Sequence, residues 1–307
     1  MHIILGAGGP VANALARELA QHNETARLVS RKPVKTIGEN TSWQKADLLN
    51  YNEVLEATKG ATVIYLCAGL VYDAKIWEQQ WPIIMQNVIN ATKATGARLI
   101  FFDNVYMYGL VKGPMTENTP YKPISEKGKV RAKIATKLMD EAKAGNINAS
   151  ILRAADFYGT DSKNSFFDMM VLDKYAKKEM AQWIGSTKVK HSFTYIPDAG
   201  KAMYLLGQHP ESDNQIWHAP TAAPLYGKEF INMAANIYQV KPKYMAINKL
   251  LLWITGLFMK VVAGTVEMYY QYNHDYDFNS DKFEKAFNFK PTPYRDGIKQ
   301  MSETLYA

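Results

Sequence analysis

The sequence predicts an α/β fold: a Rossmann-type doubly wound parallel sheet with a smaller mixed C-terminal lobe. Three observations support this prediction. A glycine-rich turn joins a strand to a helix at the start of the chain, and strands and helices then alternate strictly to about residue 157. The strands are almost continuously apolar, which is typical of a parallel sheet covered on both faces. Right-handed crossovers make such a sheet doubly wound.

The first turn has the composition of a phosphate-binding turn. The apolar run 2–5 ends in glycines, and an amphipathic helix follows at once. Gly6 allows a tight turn, Gly9 allows the backbone to approach a pyrophosphate, and Ala12 allows close helix–strand packing. The N–H groups at the helix start would hold a diphosphate. A purely structural turn is the alternative. The predicted cofactor-binding residues here are Gly6, Ala7, Gly8, Gly9, Pro10 and Val11.

The remaining elements follow from hydrophobic periodicity and from helix-stop glycines. Strands are predicted at 26–30, 42–46, 61–67, 98–102 and 149–153, and helices at 51–59, 76–95 and 127–144. Beyond residue 157 we expect helices at 166–177, 198–206, 229–238, 249–262 and 293–306, and strands at 182–184, 192–196 and 215–218. We therefore expect a dinucleotide-binding domain over 1–157, joined by sheet-rejoining segments near 190–220, and a mostly substrate-binding lobe over 158–307.

The composition narrows the class of protein. Of 307 residues, 47% are hydrophobic and 21% charged, as in soluble globular proteins. The net charge of +7 is spread along the chain without a basic block, so we expect a small-molecule substrate and no nucleic-acid partner. The single cysteine, Cys67, and the lack of a visible signal peptide predict a cytoplasmic protein. A homo-oligomer is left open.

The longest apolar run, 250–259, is too short to span a bilayer. We expect it to form a buried or pocket-covering helix and expect no membrane partner, with membrane contact as the alternative. The sequence also shows no metal-ligand spacing, so no metal is expected.

Six stretches in order carry a family resemblance: 6–12, 46–48, 66–69, 101–109, 152–159 and 193–198. Together they resemble the extended or atypical short-chain dehydrogenase/reductase superfamily, often labelled NAD-dependent epimerase/dehydratase. The resemblance implies that Asp47 hydrogen-bonds the adenine amino group, although a plain helix N-cap is the alternative. It implies further cofactor-binding positions at Leu48, Cys67, Ala68, Gly69, Phe102, Asn104, Ala154, Ala155, Asp156 and Phe157.

The chain departs from this superfamily at the residues that move protons. The superfamily uses Ser or Thr together with Tyr-x-x-x-Lys, and these positions fall at Asn104, near Gly128 and near Ala132. No Tyr-x-x-x-Lys occurs from 121 to 145. We therefore name Asn104, Tyr106 and Arg131 as catalytic candidates, with surface charge as the alternative for Arg131. Substrate-binding candidates are Tyr72, Tyr106, Tyr158, His191 and Tyr270; for each tyrosine, packing is the alternative.

The second strand ends in Ser30-Arg31-Lys32 and carries no carboxylate for a ribose 2′-hydroxyl. Arg31 can make two charge-assisted hydrogen bonds to a 2′-phosphate, which favours NADP(H) over NAD(H). A solvated basic turn is the alternative. We expect an NADP(H)-dependent oxidoreductase acting on a small carbonyl or alcohol. The alternatives are an epimerase or dehydratase with a tightly bound dinucleotide, or a non-catalytic dinucleotide-sensing protein.

Overall fold

The computed structural model describes residues 1–162, 165–257 and 260–305. The strands are β1 (His2–Leu5), β2 (Ala26–Ser30), β3 (Thr41–Lys45), β4 (Val63–Leu66), β5 (Arg98–Asp103), β6 (Asn148–Arg153), β7 (Asp156–Tyr158), β8 (Ala181–Ile184), β9 (Lys190–His191), β10 (Phe193–Tyr195), β11 (Ile216–His218), β12 (Leu225–Tyr226) and β13 (Tyr244–Ile247). The helices are α1 (Pro10–Gln21), α2 (Tyr51–Ala57), α3 (Ala74–Thr95), α4 (Glu126–Lys143), α5 (Asp173–Ala176), α6 (Ile196–Gln208), α7 (Gly227–Ile237), α8 (Lys249–Gly256), α9 (Lys260–Val266), α10 (Asp281–Phe287) and α11 (Tyr294–Leu305).

The central sheet confirms the predicted fold class. Within the described ranges it contains seven parallel strands in the order β11-β6-β5-β4-β1-β2-β3. The strand order changes direction between β1 and β4, and the carboxyl ends of these strands border the crevice where ligands bind in such sheets. The pairing of β11 with β6 confirms that the segment 215–218 rejoins the sheet.

Helices cover both faces of the sheet, which explains why its inner strands are apolar throughout. α2, α3 and α4 pack on one face, while α1 and α6 pack on the other. α3 begins at the N-cap Asp73 and ends at Gly96, which adopts a left-handed conformation with φ of 67°. Because the strands of this sheet are parallel, the loops after β1, β4, β5 and β6 lie at the same edge of the sheet.

The C-terminal part has its own aromatic core, built around Tyr158, Phe167, Phe193 and Phe230. The predicted helix 166–177 is interrupted, because Asp168–Leu172 forms a π-helical turn before α5. The predicted helix 249–262 is divided into α8 and α9.

The expectation that the apolar run 250–259 is buried is wrong for most of its described part. Along α8 only Leu252 is buried, and Leu250, Trp253 and Ile254 are exposed. Residues 258 and 259 of this run, and residue 306 of the predicted last helix, lie outside the described residues. No helix in the described ranges is long and apolar enough to cross a membrane.

Candidate active site

The glycine turn after β1, residues 6–9, forms a shallow depression that we call the glycine cradle. Gly6 packs closely in it, whereas Gly9 has open space above it. Gly6 has φ of 87°, and a Cβ atom on it would lie 2.4 Å from the Cα of Ala68. β1 and the loop after β4 therefore meet here only because residue 6 is glycine. A Cβ atom on Gly9 would meet nothing nearer than the Gly6 carbonyl oxygen, at 4.0 Å. The space above Gly9 is thus available to a ligand.

The N-terminus of α1 points its N–H groups into this cradle. Gly9 is the N-cap, Pro10 follows it, and among the described residues no side chain caps the helix. Unpaired N–H groups at a helix start bind anions. The Val11 side chain is buried, so Val11 can offer a ligand only its backbone. Gly8, with φ of 92°, packs against Val34, and Ala7 donates its N–H to Val29.

The predicted adenine end lies beside β2 and β3. Ser30 Oγ accepts a hydrogen bond from Trp43 Nε1 (2.9 Å) and donates to the carbonyl of Lys32 (2.6 Å), which fixes the turn. Arg31 and Lys32 are exposed. Within the described part of the chain, the guanidinium of Arg31 makes no hydrogen bond or ion pair. It is therefore free to bind an anion.

Asp47 is not the N-cap of α2, so that alternative is wrong. Asn50 occupies the cap and accepts from the N–H groups of Asn52 and Glu53. Asp47 instead accepts the N–H of Leu49 with Oδ1 at 3.0 Å and is half-buried. The carbonyl of neighbouring Leu48 accepts from Asn87.

The loop after β4 lies opposite the glycine turn. The backbone N–H of Cys67 donates to Leu5, and burial raises the pKa of the Cys67 thiol to about 12. The thiol is therefore neutral at physiological pH. Ala68 packs against Gly6, and a Cβ atom on Gly69 would meet nothing within 4 Å. Together with the glycine turn, this loop forms an open groove at the crevice between β1 and β4.

Asn104 has a structural role in the turn after β5. Its Oδ1 accepts the N–H of Tyr106 at 3.0 Å, and its own N–H donates to Asp103. This side-chain turn fixes the backbone that carries Tyr106. Phe102, one residue before Asp103, is half-buried on the α1 side of the sheet.

The structure does not bring Arg131 to the site. Its Nε donates to Asp103 Oδ1 at 2.6 Å, and its guanidinium packs 4.4 Å from the ring centroid of Trp81. Arg153, fully buried, lies on the other side of the same carboxylate, with Nε 3.7 Å from Oδ2. Arg131 therefore balances a buried charge, and the alternative that it is a surface charge is wrong. The α4 periodicity contained this signal, because residues 127, 131, 134 and 138 share one buried face.

The Tyr158 candidate is also not brought to the site. Its ring is enclosed by Phe167, Tyr195 and Tyr294 in the C-terminal core. Burial raises the pKa of Tyr158 well above its ordinary value. For this residue the packing alternative is correct.

The other four substrate-binding candidates, Tyr72, Tyr106, His191 and Tyr270, lie around Asp156, the first residue of β7. His191 Nε2 lies 3.1 Å from Asp156 Oδ2, and Tyr272 donates its hydroxyl to the same oxygen at 2.9 Å. The His191 ring is stacked between Tyr272 and Tyr276, with centroid separations of 5.3 and 4.5 Å. Burial is the largest cause that raises the pKa of the phenols around this carboxylate, and the charge of Asp156 raises each of them further: Tyr72, Tyr106, Tyr270, Tyr272 and Tyr276. For Tyr72, the neighbouring Tyr106 raises the pKa more than Asp156 does. We call this set the Asp156 cluster.

The neighbours of Asp156 along the chain hold it in place. Ala154 and Ala155 are buried, and their N–H groups donate to the carbonyl of Asp103 and to Thr194 Oγ1. Phe157 is half-buried against the apolar face shared by α1 and α6. β7 pairs with β10, so the position of Asp156 is fixed by a sheet and not by a free loop.

Tyr106 and Tyr72 form a hydrogen-bonded phenol pair. Tyr72 donates to the Tyr106 hydroxyl at 3.1 Å, and the Tyr106 ring stacks on Trp77. Burial, and then Asp156, raise the pKa of Tyr106, whereas the bond from Tyr72 and the charge of Arg131 lower it. Burial and Asp156 have the larger effect, so the pKa of Tyr106 is raised overall. Tyr106 is therefore a neutral phenol and a proton donor near pH 7.

Lys127 is the residue that the sequence analysis missed. Its side chain is 0% exposed, and its Nζ contacts Glu267 Oε1 (2.6 Å) and the Gly264 carbonyl (2.9 Å). The ammonium lies 4.2 Å from the ring centroid of Tyr72. Lys127 thus joins α4, α9 and the phenol pair, and its place on the buried face of α4 was the available signal.

Gly128, near which the superfamily resemblance implies a tyrosine, has no room for a side chain. A Cβ atom on Gly128 would lie 2.5 Å from the Tyr106 carbonyl oxygen. The turn after β5 therefore packs directly on α4.

A parallel sheet whose strand order reverses beside a glycine-rich turn defines the class as a Rossmann-type α/β protein. Residues 2–219 match the NAD dependent epimerase/dehydratase family, and the chain belongs to that family. A search of curated proteins finds no match. Among the described residues no group of three His, Cys, Asp or Glu could hold a metal ion.

Solved structures with the same fold cover the chain almost completely. MoeE5 in complex with UDP-glucose and NAD is 18% identical, has a TM-score of 0.81, and the match covers 99% of this chain and 98% of that one. UDP-glucose 4-epimerase of Thermus thermophilus in complex with NAD is 14% identical, with a TM-score of 0.80 and coverage of 100% and 99%. A double mutant of DesIV, a dTDP-glucose 4,6-dehydratase from Streptomyces venezuelae with NAD and DAU bound, is 12% identical, with a TM-score of 0.81 and coverage of 99% and 96%. These similarities show a shared fold.

Proposed function

We propose that the chain holds a nicotinamide dinucleotide tightly and catalyses a redox-neutral epimerisation or dehydration at a hydroxyl-bearing carbon. Family membership and the NAD and nucleotide sugars named with the similar structures support this proposal. The observation that carries it is the convergence of an open glycine cradle and the Asp156 cluster at one edge of the sheet. The alternative predicted from the sequence therefore becomes the main proposal.

The groove fits the cofactor in shape and in charge. Gly9 and Gly69 leave open space, and the uncapped start of α1 favours a diphosphate. Asp47 has a half-buried carboxylate for an adenine amino group. When bound, the dinucleotide would supply the hydride chemistry. The protein must then supply binding, orientation and the movement of one proton.

We assign the proton transfer to Asp156 and Tyr106. Asp156 Oδ2 is held by Tyr272 and His191, whereas Oδ1 accepts no hydrogen bond among the described residues. This free oxygen can accept the proton of a substrate hydroxyl. The Tyr106 phenol, neutral and hydrogen-bonded by Tyr72, can return a proton to the oxygen of the product. The proton held by Asp156 then passes to the Tyr106 phenolate, which restores both groups for the next turnover. A base and an acid thus replace the usual tyrosine and lysine.

The walls of the site favour a polyhydroxylated substrate. The hydroxyls of Tyr270 and Tyr276 are buried; Tyr270 lies beside the Ser125 side chain and Tyr276 beside the Asp156 backbone, and neither hydroxyl donates a well-aligned hydrogen bond within the described residues. A buried hydroxyl that donates no well-aligned hydrogen bond is energetically unfavourable, and a ligand that accepts one removes the penalty. Sugar hydroxyls can accept from both phenols, while sugar carbons can pack on the aromatic rings.

The test is a panel of UDP-linked and dTDP-linked hexoses followed by NMR, with absorbance recorded at the reduced-nicotinamide band. We expect a converted sugar and no steady change in absorbance. A sugar that is consumed only while added dinucleotide is oxidised or reduced in equal amount would contradict the proposal. Conversion at the wild-type rate by Asp156→Asn would contradict the assigned base.

Arg31 favours a second candidate, an NADP(H)-dependent oxidoreductase acting on a small carbonyl or alcohol. Arg31 is exposed and unpaired in the described part of the chain, and the end of β2, Ser30-Arg31-Lys32, carries no carboxylate. The positive charge of Arg31 suits a 2′-phosphate. Its exposure suits a cofactor that exchanges with solution. Steady consumption of NADPH with a carbonyl substrate would establish this function in place of the first.

A further inference from the structure

The helix α8 turns its apolar face outward. Leu250, Trp253, Ile254 and Leu257 follow the i, i+3, i+4, i+7 spacing of one helix face, and their exposed fractions are 65%, 52%, 43% and 62%. Leu252, on the opposite side, is the buried residue of the helix. An amphipathic surface helix normally presents its apolar stripe to the core. This reversed orientation indicates that something else covers the stripe.

The chemistry around the stripe is basic. Residues 230–266 contain four lysines and no aspartate or glutamate. Three of these lysines, Lys241, Lys243 and Lys249, are exposed. Met245, on the strand β13 that precedes α8 in the chain, is a further exposed apolar side chain. We call Met245, Lys249 and the four residues of the stripe the α8 surface.

We propose that the α8 surface docks on an anionic lipid bilayer, with the stripe at the level of the acyl boundary and the lysines at the headgroups. A helix with Leu and Trp on one face and Lys beside it has the composition of an interfacial helix. Trp253 is suited to this depth because its ring is apolar and its N–H is polar. This inference is independent of the proposed reaction.

A second copy of the chain fits the α8 surface less well. A twofold contact sets identical patches against each other, so Lys249 and its neighbours would face the same lysines. Like charges in such a contact repel, whereas anionic headgroups attract them. The net charge of +7 strengthens the attraction to anionic lipid. Charge complementarity therefore favours a bilayer.

Vesicle flotation with the full chain tests the proposal. The probes are vesicles of phosphatidylcholine alone and vesicles of phosphatidylcholine and phosphatidylserine in equal amounts. We expect binding to the anionic vesicles, weaker binding at high salt, and little binding to the neutral ones. The double variant Leu250→Ser with Trp253→Ser should lose about tenfold or more in vesicle affinity. Both replaced side chains face solvent, so the fold should be retained.

Matched variants separate the α8 surface from a general effect. Ile83→Ser removes an exposed apolar side chain from α3 and should bind like the wild type. Lys249→Glu should weaken binding, whereas Lys137→Glu on the exposed face of α4 should weaken it much less. Absence of wild-type binding to anionic vesicles would overturn the proposal. Self-association in sedimentation that the double variant abolishes would also overturn it, because a second copy would then cover the stripe.

Discussion

At the residue scale, Tyr106 and Asp156 have opposite roles in proton transfer: one is the proposed acid and the other the proposed base. A phenol in a buried, negatively charged setting holds its proton, and a carboxylate with one free oxygen accepts one. Lys127 lies over the ring of Tyr72, and Tyr72 donates to Tyr106. The ammonium of Lys127 therefore contacts the ring of Tyr72 and makes no contact with the Tyr106 hydroxyl.

Tyr106→Phe should lower turnover by about 10²–10⁴-fold, the range for loss of a general acid. Phenylalanine keeps the stacking on Trp77, so bound dinucleotide and unfolding temperature should change little. Tyr226→Phe, which removes an exposed hydroxyl, is the control. The measurement is turnover of the converted hexose under saturating substrate. A Tyr106→Phe enzyme within about twofold of wild type would remove Tyr106 from the mechanism.

Arg31→Ala should weaken NADP(H) binding by about ten- to hundred-fold and leave NAD(H) binding nearly unchanged. A charged hydrogen-bonding contact to the 2′-phosphate contributes about 1.5–3 kcal/mol, and NAD lacks this phosphate. Titration calorimetry of both cofactors checks the prediction, with Lys137→Ala as the control for lost surface charge. Equal affinities for the two cofactors in the wild type would show that Arg31 is a solvated basic turn.

At the element scale, the turn between β1 and α1 separates folding from ligand binding. Gly6 allows the close approach of Ala68, so it serves the fold. Gly9 has room around it and an ordinary φ of −79°, so only a ligand requires its missing side chain. The two glycines look alike in the sequence, and only the structure assigns them different tasks.

Gly6→Ala and Gly9→Ala should therefore fail in different ways. Gly6→Ala overlaps the backbone of Ala68 and imposes a positive φ on alanine, which should cost at least about 2 kcal/mol of unfolding free energy. Gly9→Ala should change stability by no more than about 0.5 kcal/mol but weaken dinucleotide binding by about tenfold or more. Urea unfolding and calorimetry measure the two effects. Undiminished binding by Gly9→Ala would place the diphosphate elsewhere.

The sequence predicts the central elements well because their signals are local. Buried strands, helix-stop glycines and the turn after β1 each lie within a few residues of chain. The orientation of α8 was not predictable in this way, since Leu252 on the buried side is as apolar as Leu250 and Trp253 on the exposed side. The convergence around Asp156 depends on side chains from β7, β9 and the segment 269–276, which only the tertiary fold brings together.

At the scale of the whole molecule, His218 joins β11 to the C-terminal segment. Its Nδ1 donates to the Asn279 carbonyl at 2.7 Å, and its Nε2 accepts from the Tyr108 hydroxyl at 2.8 Å. Burial lowers the pKa of His218 from 6.5 to about 3. The imidazole is therefore neutral in the folded chain across the ordinary pH range.

This buried histidine should make the fold acid-sensitive. Below pH 6.5 His218 takes up a proton in the unfolded chain, whereas in the folded chain it stays neutral down to about pH 3. Stability is therefore full above pH 6.5 and falls as the pH decreases through this window, by at most about 1.4 kcal/mol per pH unit. Urea unfolding across the window checks this, with His218→Gln as the comparison. A wild-type slope no steeper than that of His218→Gln would contradict the prediction.

The central claim is that this chain carries its own nicotinamide dinucleotide in the glycine cradle. The most direct measurement is the dinucleotide released when the purified protein is denatured, identified and quantified by chromatography. We expect close to one molecule per chain for the wild type and much less for Gly9→Ala, with the two proteins equally folded. A wild-type protein that releases no dinucleotide, and that binds neither NAD(H) nor NADP(H) when they are added, would contradict the account.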